Sequence, residues 1–515
     1  MLPSIANLRN LVSPKVSSKE DAAVRPSKDE MTDWDNRVSD YEDWWEQYSG
    51  EAVEELDEDK KSVDRKPPYR WPIRINPIGI GCRLHQQALI GDIKDPADPP
   101  ALVYVNPRNL KNDADIEIAR QATEAIRQVE YENGCATVDV ESMLLTQVYG
   151  GVVQRVIYDA DSPLDNGIRI ERILPEECWF RWKGTDYRYP TDAWLKRDIS
   201  KEDAKTYGVT VDKDSVEYLE HWTATERHIT IDGKPATSPQ GESLYGDNPL
   251  GFVPFIYIPH VRSNEAWGES FVPGAKGLVE EFNNRTADYG DAIFQATYDD
   301  IYGVNIQTGH PVKRYLDDGR KWWDLGRIMG RSSPEPKLAS VPRSALPVGT
   351  INFIEFLFQL LHLQLMTSDA VYGKLEGTQR SGNTVYGMNW LMHSHVNLER
   401  MFWTMGLTLR AEMILRIARD KGLFDITDNH LKHRKRVQWL PQVPMDRSSL
   451  VLEATSRIAD GSLSPQTAME KFGDIQNIDQ ETSSVKDWKK FLAEMAALAK
   501  PSLPAQSNEP PTTGE

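Results

Sequence analysis

Gly377 to Thr384 spells G-x-x-x-x-G-N-T inside the stretch "GKLEGTQRSGNTVYG", close to the glycine-rich turn whose backbone N–H groups cradle phosphates. Asn383 stands where that turn needs the lysine that reaches the outer phosphates, and the preceding "FIEFLFQLLHLQLM" is rich in Leu rather than in strand-forming Val and Thr. The stretch is therefore expected to be a solvated linker between two helices. His430 and His433, in "NHLKHRKR", have a possible metal-ligand spacing but lie in a basic turn expected to be exposed, with no cysteine or acid cluster to complete a site. His393 and His395 are two apart and on a helix point about 200° from each other, so they cannot share a metal by themselves. Gly268 and Ser270 begin a G-x-S-x-G pattern, but position 272 is Val, which removes the sharp nucleophile turn. The pairs Asp299-Asp300 and Asp317-Asp318 suit caps and turns better than acid–base work. No active site is legible, and neither catalysis, a cofactor nor a metal is expected.

The elements that carry these residues belong to a chain of 515 residues, long enough for a large core and for two to four domains. With 78 acidic against 60 basic side chains the net charge is -18, the wrong sign for a protein that coats nucleic acid, so any DNA contact must be local. Cys82, Cys135 and Cys178 are widely spaced and odd in number, which suggests no disulfide framework, no zinc site and a reducing compartment. The N-terminal stretch "MLPSIANLRNLVSPK" lacks an apolar run of signal-peptide length. The longest apolar run, Ile351 to Met366, contains Glu355, Gln359 and His362 and is too short and polar to span a bilayer. Protein must cover it, from the same chain or from neighbouring copies.

Residues 1 to 30 have the composition of a disordered segment. Trp34, Val38, Tyr41, Trp45 and Tyr48 then follow at helical spacing on one face, and "EAVEELDEDKK" is a solvated helix or charged linker. "NPIGIGCRLHQQALIGD" predicts a short helix closed by Gly91, "DADIEIARQATEAIRQVEYENG" a longer one started by Asp113 or Asp115, and "VDVESMLLTQVYG" a third. Strands are expected in "VVQRVIYD", "GIRIERILP", "VEYLEHWTATERHITIDG" with a turn at Asp232-Gly233, and "FVPFIYIPHV", where Pro254 implies an edge or irregular strand. A long helix follows Pro273, a turn-rich and locally basic insertion occupies 301–347, and further long helices run from about Val348 and from about Thr384 to Lys421. Residues 431–450 are expected to be irregular, two helices form the tail, and "PSLPAQSNEPPTTGE" is disordered by composition.

This order resembles that of the portal protein, or head-to-tail connector, of tailed double-stranded DNA bacteriophages. The likeness is strongest in "NPLGFVPFIYIPHVRSNEAWGESFVPGAKGLVEEFNNRTADYGD", Asn248 to Asp291: Val-Pro, an apolar strand, Gly268-x-Ser270, then a helix bearing Asn283 or Asn284 and Asp288. "YEDWWEQYSGE", "IGIGCRLHQQALIGD" and "SGNTVYGMNWLM" are weaker echoes, and the similarity covers roughly residues 33 to 420. It implies a helix-rich α+β ring subunit. Its parts would be a disordered segment 1–32, an α/β wing at 33–270 and 385–450, stem helices at 271–300 and 348–368, a small mixed clip at 301–347, a tunnel loop at 369–384, a helical crown at 451–500 and a disordered tail at 501–515.

The resemblance further implies a ring of twelve copies at one capsid vertex of the virion, assembled in the host cytoplasm, through which double-stranded DNA is packaged and ejected. Lys374, Gln379, Arg380 and Asn383 of the tunnel loop would touch phosphates without reading sequence. Lys313, Arg314, Arg320, Lys321, Trp322, Trp323, Arg327 and Arg331 of the clip would dock a terminase packaging ATPase and head-completion or tail adaptor proteins, with a major capsid or scaffold protein as a further neighbour. B-DNA carries a charge every ~1.7 Å, so a wholly basic wall would grip it, whereas an acidic body with a few basic loop residues lets it slide. The alternatives are a P-loop-like nucleotide-binding enzyme and a scaffold lying in a membrane surface, and the latter needs a basic helix face that "FIEFLFQLLHLQLM" lacks.

Overall fold

The computed structural model describes residues 25–51, 75–93, 99–109, 111–238, 241–262, 265–297, 301–304, 322–324, 337–340, 348–367, 389–442 and 447–465, with short pieces at 468, 485–486 and 488–492. The chain divides into two compact units, Met1–Val443 and Pro444–Glu515. The larger is a helix-rich α+β unit, and the smaller contains a helix, α10 (Arg447–Ala459).

Helix α1 (Lys28–Ser49) starts inside the segment expected to be disordered. Ser27 and Glu30 form a capping box there, each side chain accepting from the other's backbone N–H, and this satisfies donors that would otherwise fray. Its predicted face is the buried one at Trp34, Tyr41 and Tyr48. Helix α2 (Pro77–Ile90) is capped by Asn76 and stopped at Gly91 in a positive-φ conformation, and α3 (Asp113–Glu132) is capped by Asn112, which leaves Asp113 and Asp115 in its first turn against the helix dipole. Helix α4 (Cys135–Tyr149) is buried on most of its circumference and ends at Gly150.

An antiparallel sheet of order β10-β2-β3 follows from β2 (Gly151–Tyr158), β3 (Ile168–Ile173) and β10 (Phe255–Pro259). The strand after Pro254 lies at an edge, as a residue without an N–H requires. A second antiparallel sheet runs β4 (Cys178–Lys183), β5 (Asp186–Ser200), β6 (Ser215–Thr223), β7 (Glu226–Ile231) and β8 (Lys234–Pro235), with β9 (Tyr245–Asp247) also on β7 and a short helix α5 (Lys201–Thr206) between β5 and β6. Asp232 and Gly233, both at positive φ, make the predicted turn between β7 and β8. The two sheets share one apolar layer in which Val153, Phe180, Leu195, Ile231, Phe255 and Tyr257 are buried.

Helix α6 (Val272–Thr297) and helix α7 (Val348–Gln364) pack side by side. Gly274 faces Gln364 and Phe282 faces Phe358, so the two run antiparallel. Between them β11 (Ile301–Val304) pairs in parallel with β12 (Trp322–Asp324) and antiparallel with β13 (Lys337–Ser340). Helix α8 (Trp390–Asp420) is the hub: it packs on β2, β10, α2 and α3, and its Gly406 lets it press onto Ile258, whose Cγ1 lies 2.5 Å from where a Cβ would stand. After a short helix α9 (Asp428–Leu431), residues expected to be irregular form β14 (Arg434–Trp439), which pairs antiparallel with β1 (Ala101–Asn106). Cys82, Cys135 and Cys178 are free and buried. Among the described residues no helix is long and apolar enough to cross a membrane.

Candidate functional site

Trp322 and Trp323 fall on β12, while the other clip residues, Lys313, Arg314, Arg320, Lys321, Arg327 and Arg331, lie outside the described residues. The tunnel-loop residues Lys374, Gln379, Arg380 and Asn383, the phosphate-loop look-alike and the acid pairs at 299–300 and 317–318 also lie outside them.

His430 and His433 are not in an exposed turn: both are buried, because α9 folds back onto α3. His430 bonds Thr427 and reaches Gln121, and His433 Nδ1 donates to the Asn429 carbonyl at 2.8 Å. Gly268 and Ser270 stitch the strap before α6 to the end of α4. Ser270 Oγ donates to the Val148 carbonyl at 2.5 Å, Gly268 N donates to the Tyr257 hydroxyl at 2.9 Å, and a Cβ on Gly268 would stand 2.0 Å from the Gly150 carbonyl oxygen. Asn283 locks α6 to the segment that leads into α2 through paired 3.0 Å bonds to the backbone N–H and C=O of Ile75.

The two histidines on α8 part as their spacing requires. His393 reaches Gln442, and His395 turns inward to a centre absent from the sequence expectations. There Glu399, one helical turn along, is fully buried, with Oε1 3.3 Å from His260 Nε2, 3.3 Å from His395 Nε2 and 3.8 Å from His85 Nδ1. His395 Nε2 lies 3.2 Å from His260 Nε2. Glu399 Oε2 accepts from the Gln147 amide at 2.6 Å, but Oε1 has no hydrogen-bond partner. His85 comes from α2 and His260 from the residue after β10, and the ring of Phe271 closes the centre at 4.5, 4.8 and 5.0 Å from His85, His260 and His395.

The electrostatics follow from this burial. Desolvation opposes the charge on Glu399, but His260 and His85 outweigh it and hold the carboxyl well below its ordinary range. Burial pushes His395 down to about 4, the pull of Glu399 being too weak to prevent it, so its ring is neutral at neutral pH. The donor atoms of His85, His395 and Glu399 all lie within 4.8 Å of one another, a set able to ligate a metal, with His260 beside it.

Two other ionic groups are buried and tie elements together. Arg410 of α8 reaches Glu130 of α3, Asp139 of α4 and Gln154 of β2. Arg155 of β2 bonds Glu220 of β6 at 2.6 and 2.8 Å and also Glu171 of β3, while Tyr218 and Trp222 donate to the same Glu220. Each arginine bridges two carboxylates from different elements, which marks these networks as joints between layers.

Neither the protein-family models nor the curated proteins contain a match to this chain.

Proposed function

We propose that the chain is a portal-like ring subunit: a conduit for double-stranded DNA, without enzymatic turnover, that packs against copies of itself. The observation that carries this reading is the exposed face of α7. Ile351, Phe353, Phe356 and Leu363 are exposed, Phe356 at 51% and Leu363 at 65%, on a helix whose opposite side, at Leu357 and Leu361, is already packed in the core. A soluble chain rarely leaves so many large apolar groups on one short helix unless another surface covers them. The antiparallel α6–α7 pair with a three-stranded sheet between its members fits a stem carrying a clip, and the acidic total charge suits a channel wall that must not hold DNA fast. Residues 301–347 and the polar segment after α7 would then supply the docking and DNA-facing surfaces, with the side chains named in the sequence analysis in those roles.

Negative-stain microscopy of the purified full chain tests this: closed rings with a central hole are expected. Phe356→Asp, which places a charge on the exposed face, should shift the sample to monomers at an unchanged far-ultraviolet circular dichroism spectrum. Monomers or small dimers of the unaltered chain at high concentration would refute the reading.

A further inference from the structure

The centre around Glu399 gathers three imidazole nitrogens around one carboxylate oxygen. His85 Nε2 lies 2.8 Å from the Leu365 carbonyl, and a carbonyl only accepts, so Nε2 carries a proton and Nδ1 is the ring nitrogen left facing Glu399. His260 Nδ1 lies 2.8 Å from the Glu269 carbonyl, and by the same reasoning its Nε2 is the ring nitrogen that faces the same carboxylate oxygen. These groups converge in a buried centre: His85, His260 and Glu399 are 1%, 3% and 0% exposed. A carboxylate buried this deeply needs a positive partner, an imidazolium or a metal ion.

The spacing suits a metal ion. Ligands bound tetrahedrally at 2.0–2.1 Å stand about 3.3–3.4 Å apart. The three atoms His260 Nε2, His395 Nε2 and Glu399 Oε1 are separated by 3.2, 3.3 and 3.3 Å, nearly an equilateral face of that tetrahedron, and His85 Nδ1 lies 3.8 Å from its carboxylate corner. The outer shell agrees: two histidines donate their far N–H to backbone carbonyls, the carboxylate accepts a buried amide, and a phenyl ring seals the site, the pattern that fixes tautomer and orientation in metal centres.

We propose that His85, His395 and Glu399, with His260 beside them, bind one divalent transition metal ion, zinc being the best match to imidazole and carboxylate ligands in a closed site. Its role is structural. The two carbonyls that hold the histidines belong to Glu269, in the strap that starts α6, and Leu365, just past the end of α7, so the ion clamps one end of the helix pair, where α6 begins and α7 closes, to α2, β10 and α8. This inference stands apart from the ring reading and needs no second copy of the chain.

The test uses the full chain, purified without a histidine tag or chelator from zinc-supplemented cells. Metal analysis should find about one zinc per chain, and exchange for cobalt should give the intense visible bands of a tetrahedral site. His395→Ala and Glu399→Gln should each lower bound metal at least tenfold, while His393→Ala, on the same helix but bonded to Gln442, should retain it. Chelation should speed amide hydrogen exchange at 260–271 and 361–367. A parent chain that takes up no zinc or cobalt, or one that gives only an octahedral cobalt spectrum, overturns the proposal and leaves a protonated imidazole as the counter-ion. Those two readings need no variant, so they decide the matter even where a substitution fails to fold.

Discussion

Replacing Arg410 by methionine is the most searching test of how the core is held. The guanidinium is 1% exposed and makes bonds of 2.7 and 3.1 Å to Glu130, 2.5 and 2.9 Å to Asp139, and 3.2 Å to Gln154. Methionine preserves much of the side-chain volume but strands two carboxylates with side-chain exposures of 7% and 3%. Removing one partner of a buried ion pair costs about 3–5 kcal/mol, a factor of roughly a hundred to several thousand in the folded-to-unfolded ratio. The loss should also depend on pH. Burial already pushes the Glu130 carboxyl up, against the pull of Arg410, and without that arginine the folded-state value rises further above the unfolded one. The folded variant then binds more protons than the unfolded chain, so its stability falls as pH rises, and the deficit is larger at about pH 8 than at about pH 5. Urea unfolding followed by tryptophan fluorescence at these two pH values, at one protein concentration, measures both effects. Adding Glu130→Leu and Asp139→Leu to Arg410→Met should recover most of the loss, because an apolar trio of similar volume has no charge to desolvate. A deficit below about 1 kcal/mol, or one equal at both pH values, would refute the reasoning.

Two further outcomes follow from single groups. The Gly268→Ala methyl would meet the Gly150 backbone carbonyl, which cannot rotate away, so the variant should lose at least about 2 kcal/mol in urea titration; unchanged stability would show that the strap can move. Burial, with Glu177 and Glu42 adding to it, pushes the Glu176 carboxyl up to about 7, above its unfolded value near 4.3, so the native chain holds the extra proton between these values and stability falls as pH rises through them. Glu176→Gln should therefore exceed the parent chain in stability by on the order of 3–4 kcal/mol at about pH 8 and match it near pH 4, with the Trp34 bond to the residue 176 carbonyl intact.

Elements whose signals are local were legible in the sequence: the aromatic face of α1, the glycine stops of α2 and α4, the edge position of the strand after Pro254, and the long helices α6 to α8. Elements whose signals are distant were not. β1 and β14 pass the strand test only as a pair, each being short and alternating, and β14 carries Arg434, Lys435 and Arg436 that mimic a solvated turn. β4 and β5 hide behind charged residues and Pro190, which the sheet tolerates beside a register shift near Trp182. The metal-ligating set was invisible for the same reason. His395 and Glu399 are one turn apart on a single helix face, but His85 and His260 come from far along the chain, and the carbonyls that set their tautomers have no sequence signature. Spacing showed that His393 and His395 must diverge; only the fold shows what each meets.

The pairing of Ala101 with Trp439 has a consequence for biogenesis. While a ribosome makes this protein, the backbone donors and acceptors of 101–106 emerge more than three hundred residues before the strand that will accept them. For most of translation the nascent chain presents an open edge, inviting to any passing extended peptide, so the last strand of this unit acts as a latch whose late arrival makes the growing polypeptide a natural client for chaperones.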